Sequence, residues 1–146
     1  MPAAGETIIA GRVPGDRIAT ATEDADSSGI TTTETTVMSV TAPLVAGRTY
    51  RVRFYGGFAG TVTDDNINAR IREDNSTGTE MQNSASQLPF TSGVPWILPM
   101  EAEYTASATA NKTFVATLVR LSGSGSVRLE AASSRHAYLY VDYIRG

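Results

Sequence analysis

Apolar and polar residues alternate along most of this 146-residue chain, and nowhere do apolar positions recur at the three-and-four spacing of an amphipathic helix. The clearest alternation runs over 50–55, where Tyr50, Val52 and Phe54 take one face and Arg51, Arg53 and Tyr55 the other. Ile67, Ala69 and Ile71 alternate with Asn68, Arg70 and Arg72 in the same way. Phe114, Ala116 and Leu118 are opposed to Thr113, Val115, Thr117 and Val119. Strands are predicted over 17–22, 30–36, 37–45, 50–55, 67–72, 79–88, 96–104, 113–121, 127–131 and 137–144. Pro43 cannot donate to a ladder, so its strand is expected at an edge or at a bulge. Ala46-Gly47 reads as a tight turn, Asp74–Gly78 as a turn and Ser122–Ser126 as a flexible hairpin loop. Gly56, Gly57 and Gly60 are expected to break or bulge the strand that precedes them. Eight to ten short strands at this spacing predict an all-β fold, an antiparallel β-sandwich or jelly roll.

The last predicted strand differs from the rest. Tyr138, Tyr140, Asp142 and Ile144 share one face and Leu139, Val141 and Tyr143 the other, so both faces are bulky. Such a strand is expected to be covered on both sides, by a second sheet, a subunit or both. Tyr138, Tyr140 and Tyr143 are therefore candidates for core or subunit contact. Residues 1–16 read as an extended arm laid on a partner surface, with Ile8, Ile9 and Val13 as its anchors, and residues 17–146 as a single sandwich domain.

Composition narrows the function classes. The net charge of −3 and the spread of 12 cations along the chain argue against a nucleic-acid partner, which would call for a basic patch. Eleven of those cations are Arg and one, Lys112, is Lys. Planar hydrogen bonding at interfaces would favour that bias, but the codon usage of a GC-rich genome is the better account, since nothing in the sequence requires Arg at most of these positions. With no cysteine there is neither a disulfide framework nor a thiolate metal site. Met1–Glu6 lacks a basic region followed by an apolar stretch, and no 18-residue apolar window occurs, so neither a secretory leader nor a membrane partner is expected.

The search for reactive groups yields little. His136 is the only histidine, and a nucleophile–base arrangement with Ser133 or Ser134 is disfavoured because adjacent strand residues point apart. Asp24, Asp26 and Ser28, and separately Asp64-Asp65-Asn66, carry the oxygen donors of a cation site without its closing bidentate Glu, and both read as solvated turns. Glu101 and Glu103 share a strand face, whereas the acid and base of a glycosidase normally come from separate strands. Asn75-Ser76-Thr77 and Asn111-Lys112-Thr113 match the glycosylation pattern and read as turns. Trp96 could join Tyr55 and Phe58 in a sugar-binding platform, although a lone Trp in a small sandwich more often belongs to the core. No catalytic set, metal site or cofactor is expected.

The stretches Gly29–Val40, Leu44–Val52, Ala69–Thr79 and Tyr138–Ile144, together with the opening Pro2–Ile8, carry a resemblance over nearly the whole chain. The chain resembles a recurrent structural-protein domain of actinobacteriophages, found among minor tail, fibre and capsid-associated proteins. In strand plan it is similar to trimeric jelly rolls of the tumour-necrosis-factor and complement-C1q type. The resemblance implies a virion protein made in the bacterial cytoplasm, a homotrimer that decorates the capsid or forms a head fibre, attached to the major capsid protein through its N-terminal arm. A minor tail or receptor-binding module is the alternative. Its loops around Asp64–Asn66, Gln87–Trp96 and Ser107–Asn111 would then meet host-surface glycans. The resemblance implies no catalytic residues.

Overall fold

The computed structural model describes residues 13–89 and 94–146. Among these residues there is no helix, and the strands are β1 (Arg17–Glu23), β2 (Thr35–Leu44), β3 (Thr49–Tyr55), β4 (Gly57–Gly60), β5 (Asn66–Glu73), β6 (Glu80–Gln87), β7 (Trp96–Ile97), β8 (Met100–Thr105), β9 (Ala110–Ser122), β10 (Val127–Glu130) and β11 (Ala137–Arg145). All pair antiparallel. A front sheet has the order β1-β11-β3-β8, a back sheet β2-β9-β5-β6, and a small corner sheet β10-β4-β7. The predicted antiparallel sandwich is the fold that forms.

Alternation sets the layering. Tyr50, Val52 and Phe54 of β3, with Leu139, Val141 and Tyr143 of β11, are at most 5% exposed. They share one core cluster with Val40, Ala42, Ile67, Ala69, Ile71, Phe114, Ala116 and Leu118 of the back sheet. Each large apolar side chain so buried contributes about 1.5–3 kcal/mol. Tyr143 thus belongs to the core, 5.8 Å from the Tyr50 ring. Pro43 lies on β2, an edge strand of the back sheet, as its missing N–H requires.

Several local expectations are corrected. Within the predicted strand 30–36 only Ile30 bridges to Val127, and regular pairing starts at Thr35, with a bulge between Thr36 and Met38. The predicted strand 96–104 is two strands in different sheets: Trp96–Ile97 pairs with β4, whereas Met100–Thr105 pairs with β3, and Pro99 lies between them. Gly57–Gly60 is itself a buried strand, and a Cβ at Gly57 would lie 2.6 Å from that of Pro95. The Gly47 turn, at φ 81°, joins β2 to β3 across the two layers. The segment 122–126 also joins different sheets, so it is a corner and not a hairpin loop.

The terminal strand runs inside the front sheet, between β1 and β3. Its inner face packs into the core, and its outer face carries no second sheet among the described residues. Tyr138 and Tyr140 are half-buried there by in-plane neighbours. Ile8 and Ile9 lie outside the described residues, and Val13 is exposed. Gly15 N donates to Tyr143 O at 2.6 Å and Tyr143 N to Asp16 O at 2.9 Å, which extends the β1–β11 pairing ahead of Arg17.

Candidate functional site

The strand register writes the outer face of the front sheet as rows of side chains. Thr22, Tyr138 and Tyr55 form one row, then Thr20, Tyr140, Arg53 and Glu101, then Arg17, Asp142, Arg51 and Glu103. Cross-strand neighbours about 5 Å apart can interact directly, and here they do. Arg53 Nε donates to Glu101 Oε2 at 3.1 Å, Arg51 Nη2 to Glu103 Oε1 at 3.3 Å, and Arg145 Nη2 to Glu103 Oε2 at 2.7 Å. Arg17 Nε donates to Asp142 Oδ1 at 3.0 Å while its guanidinium lies 3.6 Å from the centre of the Tyr140 ring. The Tyr140 hydroxyl first, and then the Glu101 and Asp142 charges, hold Arg53 above the usual guanidinium range. Arg145 and Arg51 hold the Glu103 carboxyl below the usual carboxylate range.

An open cleft of about 320 Å³ lies in this face, lined by Tyr55 and Pro99, by Arg53, Glu101 and Tyr140, and by Phe54 and Met100. Its volume sits at the lower end of the range for small-ligand sites. Tyr55, 47% exposed, offers an aromatic face, and Arg53 and Glu101 offer forked donors and acceptors for paired hydroxyls. Beside it, where β3 leads into β4, Val94, Trp96 and Ile97 add an exposed apolar edge. Trp96 stands opposite Phe58 on the edge strand β7 and is 41% exposed, so it is not the core residue that its type favoured.

Other residues singled out in the sequence are dispersed. Glu101 and Glu103 are each matched by an arginine. His136 packs 5.9 Å from the Tyr138 ring, and no hydrogen bond reaches its buried Nδ1. Asp26 accepts from Ala131 N and pairs with Arg128. Asn75 accepts from the N–H and hydroxyl of Thr77, the turn expected of it. Asp65, by contrast, is no solvated turn residue, because it is fully buried.

The back sheet holds a site that sequence reading missed. Glu34 lies on that sheet's outer face, where Arg72 Nε donates to its Oε1 at 2.7 Å and Arg70 Nη1 to its Oε2 at 2.5 Å. The buried Thr117 hydroxyl also donates to Oε1, and Glu80 Oε2 lies 2.8 Å from Arg70 Nε. Burial opposes the Glu34 charge, yet the Arg72 and Thr117 hydrogen bonds and the two arginine charges together hold its carboxyl below the usual range. The available signal was the pair Arg70 and Arg72 on one strand face, and nothing in the sequence named its carboxylate.

No protein-family model matches the chain, and no curated protein matches it. Among solved structures, the chain is similar to one from the infectious bursal disease virus Gx strain, at 16% identity and a TM-score of 0.49, over 90% of this chain and 33% of that one. A subviral particle of infectious bursal disease virus matches at 14% identity and a TM-score of 0.47, over 88% of this chain and 38% of that one. The chain therefore spans only about a third of the length of these viral chains. A xylan-binding domain from Paenibacillus barcinonensis matches at 8% identity and a TM-score of 0.42, over 91% and 97% of the two chains. None of these likenesses assigns a function to the chain.

Proposed function

We propose that this chain is a structural module of a bacteriophage virion, a non-enzymatic homotrimer carried on the capsid surface. The observation that carries this reading is the exposure of Tyr55, Val94, Trp96 and Ile97 around the step from β3 into β4 and its partner β7. Gathered on one edge, exposed apolar residues suit a protein–protein contact. The sequence resemblance supplies the setting, with attachment to the major capsid protein through the N-terminal residues and a minor tail position as the competing location. Light scattering on the purified chain should give the mass of a trimer, and Trp96→Arg with Ile97→Arg should give a folded monomer. A monomeric wild-type chain would overturn the assembly role. Gold-labelled antibody on phage particles separates head from tail, and absence of label from both would overturn the virion reading. Deleting residues 1–12, which spares the Gly15 and Asp16 bonds to Tyr143, should leave a folded trimer that no longer attaches.

The front-sheet cleft favours a second reading, recognition of a host-surface glycan. Tyr55 would stack on the C–H face of a sugar ring while Arg53 and Glu101 bind its hydroxyls, so the platform would be the sheet face and not the loops. Oligosaccharide binding that is lost in Tyr55→Ala, with assembly retained, supports it. Absence of binding across a glycan panel removes it without touching the assembly reading.

A further inference from the structure

The cleft on the front sheet is lined by one cation and one carboxylate, and they are bonded to each other. Arg53 Nε donates to Glu101 Oε2 at 3.1 Å, so the two charges balance inside the cleft. Arg53 also donates to the Tyr140 hydroxyl on the neighbouring strand, which fixes its fork between two acceptors. Glu101 is held from a second side, its Oε1 lying 4.0 Å from Arg51 Nε. The cations beyond the cleft are engaged as well, Arg17 by Asp142, and Arg51 and Arg145 by Glu103. No lining cation is left to neutralise an incoming negative charge.

The two aromatic rings of the cleft are unequal. The Arg17 guanidinium lies 3.6 Å from the centre of the Tyr140 ring, so that face is occupied. Tyr55, 47% exposed beside buried Phe54 and Met100, is the aromatic surface open to a ligand. An ion pair met edge-on offers N–H donors and carboxylate oxygens side by side. Two adjacent sugar hydroxyls match that edge, one accepting from the guanidinium and one donating to the carboxylate, and both bonds gain from the charge. A carboxylate or phosphate fits the same edge badly. It would bond Arg53 only by displacing Glu101 from the fork, and it would set a like charge against Glu101.

We propose that the cleft selects neutral sugars with two adjacent free hydroxyls and rejects acidic ones, with Arg53 and Glu101 acting as a joined donor–acceptor pair and Tyr55 as the platform. This selection rests on the glycan reading of the cleft and adds the charge class of the ligand to it.

Matched ligands test it, because a hexose and its uronate share their ring hydroxyls and differ by the carboxylate at C6. Calorimetric titrations of the full chain would use gluco-, galacto- and mannotetraose, each beside its uronate counterpart, at low and at high salt. At least one neutral tetraose should bind, with an affinity that changes little with salt, and its uronate should bind about tenfold more weakly or not at all. Glu101→Gln, at an exposed position where folding is spared, keeps an acceptor and removes the charge. In that variant the neutral ligand should lose affinity and the uronate gain it, so the gap narrows. A uronate that binds the wild type as tightly as its hexose would overturn the charge selection and leave the glycan reading in place. A gap of unchanged size in Glu101→Gln would overturn the role of the Arg53–Glu101 pair. Binding that survives Tyr55→Ala, or no binding by any of these ligands, would remove the glycan reading and this selection together.

Discussion

The two outer faces of the sandwich carry the same chemistry to opposite ends. Each presents arginines from alternate positions of a strand, Arg51 and Arg53 in front and Arg70 and Arg72 behind, and each matches them with glutamates. Behind, the pairs are sunken: the Arg70 and Arg72 side chains are 16% exposed and Glu34 19%, over a fully buried Thr117. In front they are open, with Glu101 at 57% and Arg145 at 64%. Desolvated, multiply bonded pairs are costly to break, whereas exposed pairs contribute little to stability and remain free to exchange partners. The back face is therefore read as a clamp and the front face as a contact surface.

The largest effect should come from breaking the clamp. Glu34→Ala leaves two arginines and a threonine hydroxyl without their shared acceptor, and should lower stability by about 2–4 kcal/mol in urea unfolding. Thr117→Val, which keeps shape and removes one donor, should cost about 1 kcal/mol. The acid limb sharpens the contrast. The Glu34 carboxyl is held lower in the folded protein than in the unfolded chain, so its contribution is complete above the unfolded value of about 4.3 and is lost as pH falls through the folded value. Urea midpoints measured downward from about pH 5 should fall, and Glu34→Gln should flatten that fall. On the front face, Arg17→Ala removes both the Asp142 bond and the stack on Tyr140 and should cost about 0.5–1 kcal/mol. Glu101→Ala should stay within about 0.5 kcal/mol and vary with salt, while changing whatever binds in the cleft. Equal costs for Glu34→Ala and Glu101→Ala would remove the distinction between the faces.

The sandwich was legible because period-two alternation reports which side of a strand meets the core, and Tyr50, Val52, Phe54, Ile67, Ala69 and Ile71 are buried as that rule requires. Where alternation was absent, the reading failed. The glycine strand β4 has no side-chain pattern to read, and the run 96–104 conceals a change of sheet at Leu98-Pro99. Turn chemistry located Ala46-Gly47 and 122–126, but the hairpin read at 122–126 does not form, and the strands flanking Ala46-Gly47 do not pair with each other either. Trp96 was misjudged for a related reason. Residue type predicts burial only on average, while a two-residue edge strand leaves its side chains in solvent.

Local residue order settled the strand type, the inward and outward faces and the restriction of Pro43 to an edge or a bulge, because each follows from geometry within a few residues. Partnerships across the sequence could be settled only by the folded chain. Glu34 meets Arg70, Arg72 and Thr117 from 36, 38 and 83 residues away, and Asp65 meets Ser124 across 59. Such contacts depend on how sheets stack and where corners close, a long-range packing problem that no local periodicity encodes.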